Sequence, residues 1–295
     1  MRSALMDALF DRMAHDQRIF FLVADMGINM CERFEAAYPT RFLNVGIAEQ
    51  NLIGVAAGLV NTGFRPFVYT ISNFLIHRAF EQIRNDILLH NIPVTLLGTS
   101  TGYDNAPLGP THHIVDDWGP LAAAGGELDV YCPASKGYAG RLVARALEAN
   151  RPAYVRIPKS AALPDSCIQD MQHFPGDPGA SLLIGYGSTA GTLMSARQDD
   201  PSLGVLILQK LLPIDLSAIV SGYDRALVVE DHFPASGLFA RLCQTAMING
   251  WRTKLVPVGP GAHALTVCRD SQSYFQRFGM DAASLLRKAN DDLRV

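Results

Sequence analysis

Residues 44–60 read NVGIAEQNLIGVAAGLV and place one acidic side chain, Glu49, where a loop turns into an apolar helix. Leu52, Ile53, Val55, Ala56, Leu59 and Val60 make that helix hydrophobic around nearly its whole circumference, so Glu49 is expected at the edge of a dry interior. A carboxylate is costly there without a partner. In that setting it can act as a general acid or base; the plainer alternative is that it caps its helix, since an acid in the first turn favours the dipole.

Three further groups could do chemistry. His112 lies in GPTHH, just after the Gly- and Asn-rich stretch TSTGYDNAPLG, and an imidazole on such a loop can exchange protons near neutral pH. His113 alternates away from it and is the weaker candidate. Arg156, in the apolar run AYVRI, carries a guanidinium fork that suits a phosphate, although pairing with a neighbouring acid is equally ordinary. Asp25 closes FFLVAD, where it could face a ligand or cap the strand end.

The elements that must position these groups follow from the pattern of apolar residues. Strands are predicted at 20–25, 66–70, 93–99, 129–132 and 153–157. Helix patterns lie between them, the clearest being FLIHRAFEQIRNDILLH, with Ile76, Phe80, Ile83 and Ile87 at helical spacing. Short apolar strands alternating with helices imply a mainly parallel sheet covered on both faces, with its ligand site in loops at the strand C-terminal ends. From 158 to 180 the pattern lapses, with prolines at 158, 164, 175 and 178. A second alternating run follows, with strands in SLLIGYG, GVLILQ, RALVVED and KLVPVG. The expected fold class is α/β: two α/β domains, at 1–160 and 181–295, joined by a linker at 161–180, each a mainly parallel sheet covered by helices.

At 295 residues, with 48% hydrophobic and 18% charged side chains, the chain can bury a sizeable core. A net charge of −3 and a pI near 6.2 offer no electrostatic attraction to nucleic acid or anionic membranes. The five cysteines (Cys31, Cys132, Cys167, Cys243, Cys268) are odd in number, widely spaced and include no CxxC pair, which suits free thiols in a reducing compartment. MRSALMDALFDRM reads as an amphipathic helix and not as a signal peptide, and no apolar run reaches the roughly 20 residues of a membrane span. The expected location is cytoplasmic. GYGSTA at 185–190 approaches the dinucleotide fingerprint, but the next strand ends Leu208, Gln209, Lys210 without the ribose-binding acid, so a tight strand-to-helix turn is the better explanation.

Taken together, VADMG at 23–27, GIAEQN at 46–51, FLIHRAFEQIRND at 74–86, GPTHH at 109–113, YVRIPK at 154–159 and VVEDHFPASGL at 228–238 resemble, in order and approximate spacing, the C-terminal half of the transketolase superfamily of thiamine diphosphate enzymes. The resemblance covers nearly the whole chain, and the nearest patterns are split transketolases and 1-deoxyxylulose-5-phosphate synthases. It implies that Glu49, with Gln50 beside it, binds the aminopyrimidine of the cofactor, so that C2 of its thiazolium becomes a nucleophile toward carbonyls. It likewise implies that Phe74 stacks on the pyrimidine, and that His112 and Asp25 orient donor hydroxyls. Arg156 matches an arginine that grips the substrate phosphate.

The departures also carry information. Where sugar-phosphate transketolases have an acid just before GPTH, this chain has Leu108; Ser100 stands in place of a histidine, and Asn29 in place of a phosphate-binding serine. Loss of a carboxylate where a hydroxyl should dock disfavours a polyhydroxylated acceptor. The GDG motif that holds the cofactor's diphosphate and its Mg2+ in the family is missing, and no metal ligand set is predicted here. A separate GDG-bearing chain is therefore expected as partner, in an α2β2 assembly, with Gly54, Ala57 and Gly58 giving the Glu49 helix a face that another helix could approach closely.

The expected function is that of the pyrimidine-binding subunit of a two-component transketolase-like enzyme, active only with its partner, moving a two-carbon ketol unit from a ketose or ketose phosphate donor to a carbonyl acceptor. The alternatives are the β subunit of a 2-oxoacid dehydrogenase or decarboxylating synthase, and a non-catalytic binding subunit.

Overall fold

The computed structural model describes residues 1–261 and 264–291. Its first sheet is built from β1 (Ile19–Val23), β2 (Phe42–Asn44), β3 (Arg65–Ile71), β4 (Thr95–Thr99), β5 (Asp129–Tyr131) and β6 (Ala153–Ile157). The second comprises β7 (Met171–Phe174), β8 (Leu182–Tyr186), β9 (Gly204–Leu208), β11 (Arg225–Val229) and β12 (Lys254–Val258), and between β9 and β11 the chain forms β10 (Lys210–Leu212). The five-stranded sheet has the order β12-β11-β8-β9-β7, parallel except for the edge strand β7. The seven-stranded sheet has the order β10-β5-β6-β4-β3-β1-β2. Its strands are parallel apart from β10, which runs antiparallel to β5. Central strands such as β4, β6, β8 and β9 are buried throughout, as expected for parallel sheets covered on both faces.

The two antiparallel edge strands, β7 and β10, depart from the sequence expectation. β7 forms within the stretch read as a linker, because Met171–Phe174 pairs with the outer edge of β9. β10 leaves the C-terminal run altogether and extends the N-terminal sheet. Gln209 makes the turn possible. Its buried side-chain carbonyl accepts hydrogen bonds from the Ala134 and Ser135 amides at 2.8 and 2.9 Å, while its amide nitrogen donates to the Cys167 and Gln169 carbonyls at 2.9 and 3.1 Å. Lys210 then pairs with the buried Asp129 at 3.1 Å.

Three of the helices packed against the N-terminal sheet are α1 (Arg2–His15), α2 (Glu32–Ala37) and α3 (Glu49–Asn61). Leu5, Met6, Leu9 and Met13 give α1 one buried face, which packs on the helix Lys136–Ala149. In α3 the buried side is Leu52, Ile53 and Ala56, with Val55, Leu59 and Val60 partly covered, so the helix is less uniformly enclosed than its composition suggests. The stretch expected as one long helix is interrupted. Phe74–Arg78 and Ile83–Leu88 are π-helical turns separated by the short α-turn Phe80–Gln82. Ile76, Ile83 and Ile87 still reach the core, because the wider turns redistribute the register without exposing the apolar stripe.

Candidate active site

The candidate residues emerge from the C-terminal ends of neighbouring parallel strands: Asp25 after β1, Glu49 after β2, Phe74 after β3, Ser100 and His112 after β4. This is the crevice where open α/β sheets bind ligands. The backbone there is unusual. Asp25, Asn29 and Ser100 all adopt left-handed conformations, with φ of 43°, 64° and 61°. Non-glycine residues rarely do so without a local reason, and such positions concentrate at functional sites. Asn44 supplies one reason: its side-chain oxygen accepts from the Asp25 amide at 2.9 Å and the Gly46 amide at 3.0 Å, tying the end of β1 to the loop that leads into Glu49.

Glu49 is only 2% exposed and opens α3 as its first residue. Its Oε2 accepts a hydrogen bond from Arg78 Nη1 at 2.6 Å. The Arg78 guanidinium carbon stands 4.6 Å from the centroid of the Phe74 ring, and that ring meets the His112 imidazole at 5.2 Å with an interplanar angle of 70°. The π-helical turn places Phe74 and Arg78 on one side, so that Glu49, Arg78, Phe74 and His112 form a continuous line of contacts. His112 Nδ1 lies 2.9 Å from the Thr111 hydroxyl. Gln50 projects outward and is exposed, as are Asp25 and Asn29, whereas Ser100 is buried.

His113 turns the other way. Its ring packs against Tyr103 and Tyr274 at centroid distances of 5.1 and 5.0 Å, and burial lowers its proton affinity from the ordinary value. Tyr103 and Tyr274 themselves stack at 4.0 Å. The histidine loop is thus clasped by the C-terminal domain: Tyr274 and Phe278 enclose Tyr103, and a Cβ on Gly102, whose φ is +53°, would overlap the Asp231 carboxylate. Leu108 is 58% exposed, and beside it Gly109 abuts Val267, itself 63% exposed.

Arg156 requires a correction. It is fully buried, with Nε bonded to Asp117 at 2.6 Å, Nη1 to Asp231 at 2.7 Å and Nη2 to the Ile114 carbonyl at 3.3 Å. Burial pushes the Asp117 carboxyl up, but the adjacent guanidinium outweighs this and holds it below its ordinary value. A guanidinium spent in this way offers no fork to a phosphate, so the phosphate-gripping role does not carry over to this residue.

Sequence reasoning missed Arg78, Asn44 and Asn73. Asn73 donates to the His113 carbonyl at 2.5 Å and its oxygen lies 3.2 Å from His77 Nδ1, while His77 pairs with Asp116 at 3.0 Å, which raises the histidine's proton affinity. The four-residue interval between Phe74 and Arg78 was the available signal for Arg78, although the π-turn that aligns them leaves no mark in the spacing.

The set can hold a nitrogen heterocycle. Oε1 of Glu49 accepts no hydrogen bond among the described residues, and an aromatic ring and an imidazole lie along the same line of contacts. A buried carboxylate with one free oxygen, linked through Arg78 to an aromatic ring, fits an aminopyrimidine with its ring nitrogen toward the acid.

Comparison with known proteins gives the family. Residues 1–164 match the family described as "Transketolase, pyrimidine binding domain". The chain is 27% identical to an apulose-4-phosphate transketolase subunit of Actinobacillus succinogenes, over 86% of this chain and 85% of that one. It is 32% identical to 1-deoxy-D-xylulose-5-phosphate synthase 1 of Geobacter metallireducens over 80% of this chain, but spans only 40% of that longer protein. A solved structure titled "Split gene transketolase, inactive beta4 tetramer" superposes with a TM-score of 0.84 at 25% identity, covering 98% of this chain and 97% of the other. In sequence and in fold, the chain belongs to the transketolase superfamily, through its pyrimidine-binding domain.

Proposed function

We propose that this chain is the pyrimidine-binding subunit of a two-component, thiamine diphosphate-dependent enzyme that transfers a two-carbon ketol unit from a ketose donor to a carbonyl acceptor. The observation that carries the reading is the buried Glu49 with one carboxylate oxygen free, on a line of contacts that runs through Phe74 to His112. When bound, the cofactor supplies a carbon nucleophile that attacks carbonyls. Glu49 holds a proton at the pyrimidine ring nitrogen, and its burial keeps water from competing for that bond. Phe74 holds the ring flat. His112, together with Asp25, orients donor hydroxyls and moves a proton at the reacting oxygen.

The diphosphate and its Mg2+ are assigned to a partner bearing a GDG motif, since none occurs in this chain. Two relatives are named as single subunits of an apulose-4-phosphate transketolase, which supports division of the enzyme between chains. The outer side of α3 is open as well: a Cβ on Gly54 or Gly58 would meet nothing within 4 Å. An α2β2 assembly is the proposed form. No helix among the described residues is long and apolar enough to cross a membrane.

The acceptor is proposed to be less hydroxylated than the usual aldose phosphates. Leu108 and Val267 place apolar surface from both domains beside Gly109, three residues from His112.

Co-expression with a GDG-bearing chain, followed by assay of ketol transfer from a ketose phosphate with thiamine diphosphate and Mg2+, tests the reading. Activity is expected to need both chains and to vanish in Glu49→Ala. Release of carbon dioxide from pyruvate without ketol transfer would favour a 2-oxoacid decarboxylating subunit instead. A stable complex that binds no cofactor would favour a non-catalytic one.

A further inference from the structure

Glu49 has two carboxylate oxygens in different circumstances. Oε2 is held at 2.6 Å by Arg78 Nη1, and Oε1 has no hydrogen-bond partner among the described residues. The residue is 2% exposed, whereas Arg78 is 44% exposed, so the arginine reaches in from the rim of the crevice to a buried acid. Its guanidinium cannot swing freely, because its carbon also lies 4.6 Å from the Phe74 ring centroid and covers one face of that ring. Arg78 is therefore fixed twice, by a charge-assisted hydrogen bond and by a cation–π contact. The backbone contributes too: Phe74 and Arg78 are the first and last residues of one π-helical turn, a rare geometry that is frequent at functional sites.

We propose that Arg78 is the positioning residue of Glu49: it takes Oε2 and thereby orients Oε1 toward the ring nitrogen of the aminopyrimidine. The inference rests on the cofactor assignment above. A carboxylate free to rotate would present either oxygen, or neither, to the ring. Clamping one oxygen leaves a single acceptor at a defined place, and the positive charge beside it compensates the buried carboxylate. The same guanidinium closes one face of Phe74, so a stacked pyrimidine must use the other. A lysine could neutralise Glu49 but, lacking a planar fork, could not set both relationships at once.

The test uses the complex with its co-expressed GDG-bearing chain and measures thiamine diphosphate affinity by calorimetry in the presence of Mg2+. Arg78→Met keeps an apolar stem over Phe74 and removes the clamp; the dissociation constant is expected to rise at least about tenfold, with partial recovery in Arg78→Lys. The decisive comparison places Arg78→Met in a Glu49→Gln background, which leaves no buried carboxylate at this position for the loss of Arg78 to strand. If Arg78 acts through Glu49, it weakens binding no further there. Equal and additive losses in the two backgrounds, or no loss in either, would overturn the positioning role while leaving the cofactor reading intact. Failure of the wild-type complex to bind thiamine diphosphate would defeat that reading, and this proposal with it.

Discussion

Arg156 and Asp231 form an ion pair of 2.7 Å with neither side chain exposed, and they come from different sheets: the arginine from β6 of the first, the aspartate from just beyond β11 of the second. Asp117 closes on the guanidinium from its other side at 2.6 Å, and Ser188 donates to Asp231 at 2.5 Å. The two domains are thus joined by desolvated charges as well as by apolar contact.

This arrangement predicts a stability defect for Arg156→Ala rather than a selective loss of phosphate affinity. Removing one member leaves two buried carboxylates uncompensated, at a cost of about 3 to 5 kcal/mol. Denaturant unfolding should show a loss of that order. A variant of normal stability with an isolated rise in KM for a phosphorylated substrate would instead restore the arginine to the substrate site.

Phe74 should contribute to cofactor affinity through stacking. Replacement by Ala removes an aromatic contact worth about 0.5 to 1.5 kcal/mol beyond area burial. Calorimetry on the assembled complex should therefore show thiamine diphosphate binding weakened by roughly 2- to 12-fold, at 1.4 kcal/mol per tenfold, with Phe74→Tyr near wild type. Unchanged affinity in Phe74→Ala would move the stacking role to another residue.

Glu230 makes stability depend on pH. Its carboxylate accepts from the Leu238 and Phe239 amides at 2.8 and 3.0 Å and from the Tyr186 hydroxyl at 3.3 Å, yet burial, assisted by Asp231, pushes its pKa from 4.5 up to about 7. The folded state therefore binds more protons than the unfolded chain between pH 4.5 and about 7, and stability is lost as pH rises through that window. The size is on the order of 3 kcal/mol. Glu230→Gln mimics the protonated form, so its stability relative to wild type should rise between pH 5 and pH 8. Comparing variant with wild type at each pH cancels His232, which burial lowers and which contributes with the opposite sign in both proteins. A difference that stays constant with pH would show that Glu230 does not titrate there.

Leu108 should govern the acceptor. Leu108→Asp places a hydroxyl-binding carboxylate on an exposed position of the loop that carries His112, where it costs little stability. Activity on the native acceptor should fall by about tenfold or more, with a gain toward polyhydroxylated aldose phosphates in competition assays. Full retention of native activity would count against the apolar-acceptor proposal.

Several features were legible from residue order alone, each for a local reason. Short apolar runs such as AYVRI and GVLILQ, rich in β-branched residues, read as buried strands, and the alternation of strands with helical patterns implied parallel sheets. Glu49 at the head of an apolar helix marked a buried acid, and the prolines after 158 marked the break in pattern. His112 was separable from His113 because adjacent side chains leave the loop in different directions, and His113 turns toward Tyr103 and Tyr274.

What the tertiary structure decided depended on partners distant in sequence. β10 crosses to the first sheet because a buried Gln209 satisfies backbone groups at Ala134, Ser135, Cys167 and Gln169, and nothing within residues 204–212 announces that. Arg156 matched a phosphate-binding pattern, but acids 39 residues before it and 75 after it claimed its donors. The Arg78 clamp on Glu49 spans 29 residues and depends on a π-helical turn that spacing alone cannot reveal. The sequence determined which groups could do chemistry, through residue type and local polarity. Their roles were decided by the fold, because a buried charge takes its function from whichever opposite charge packing brings within hydrogen-bond reach.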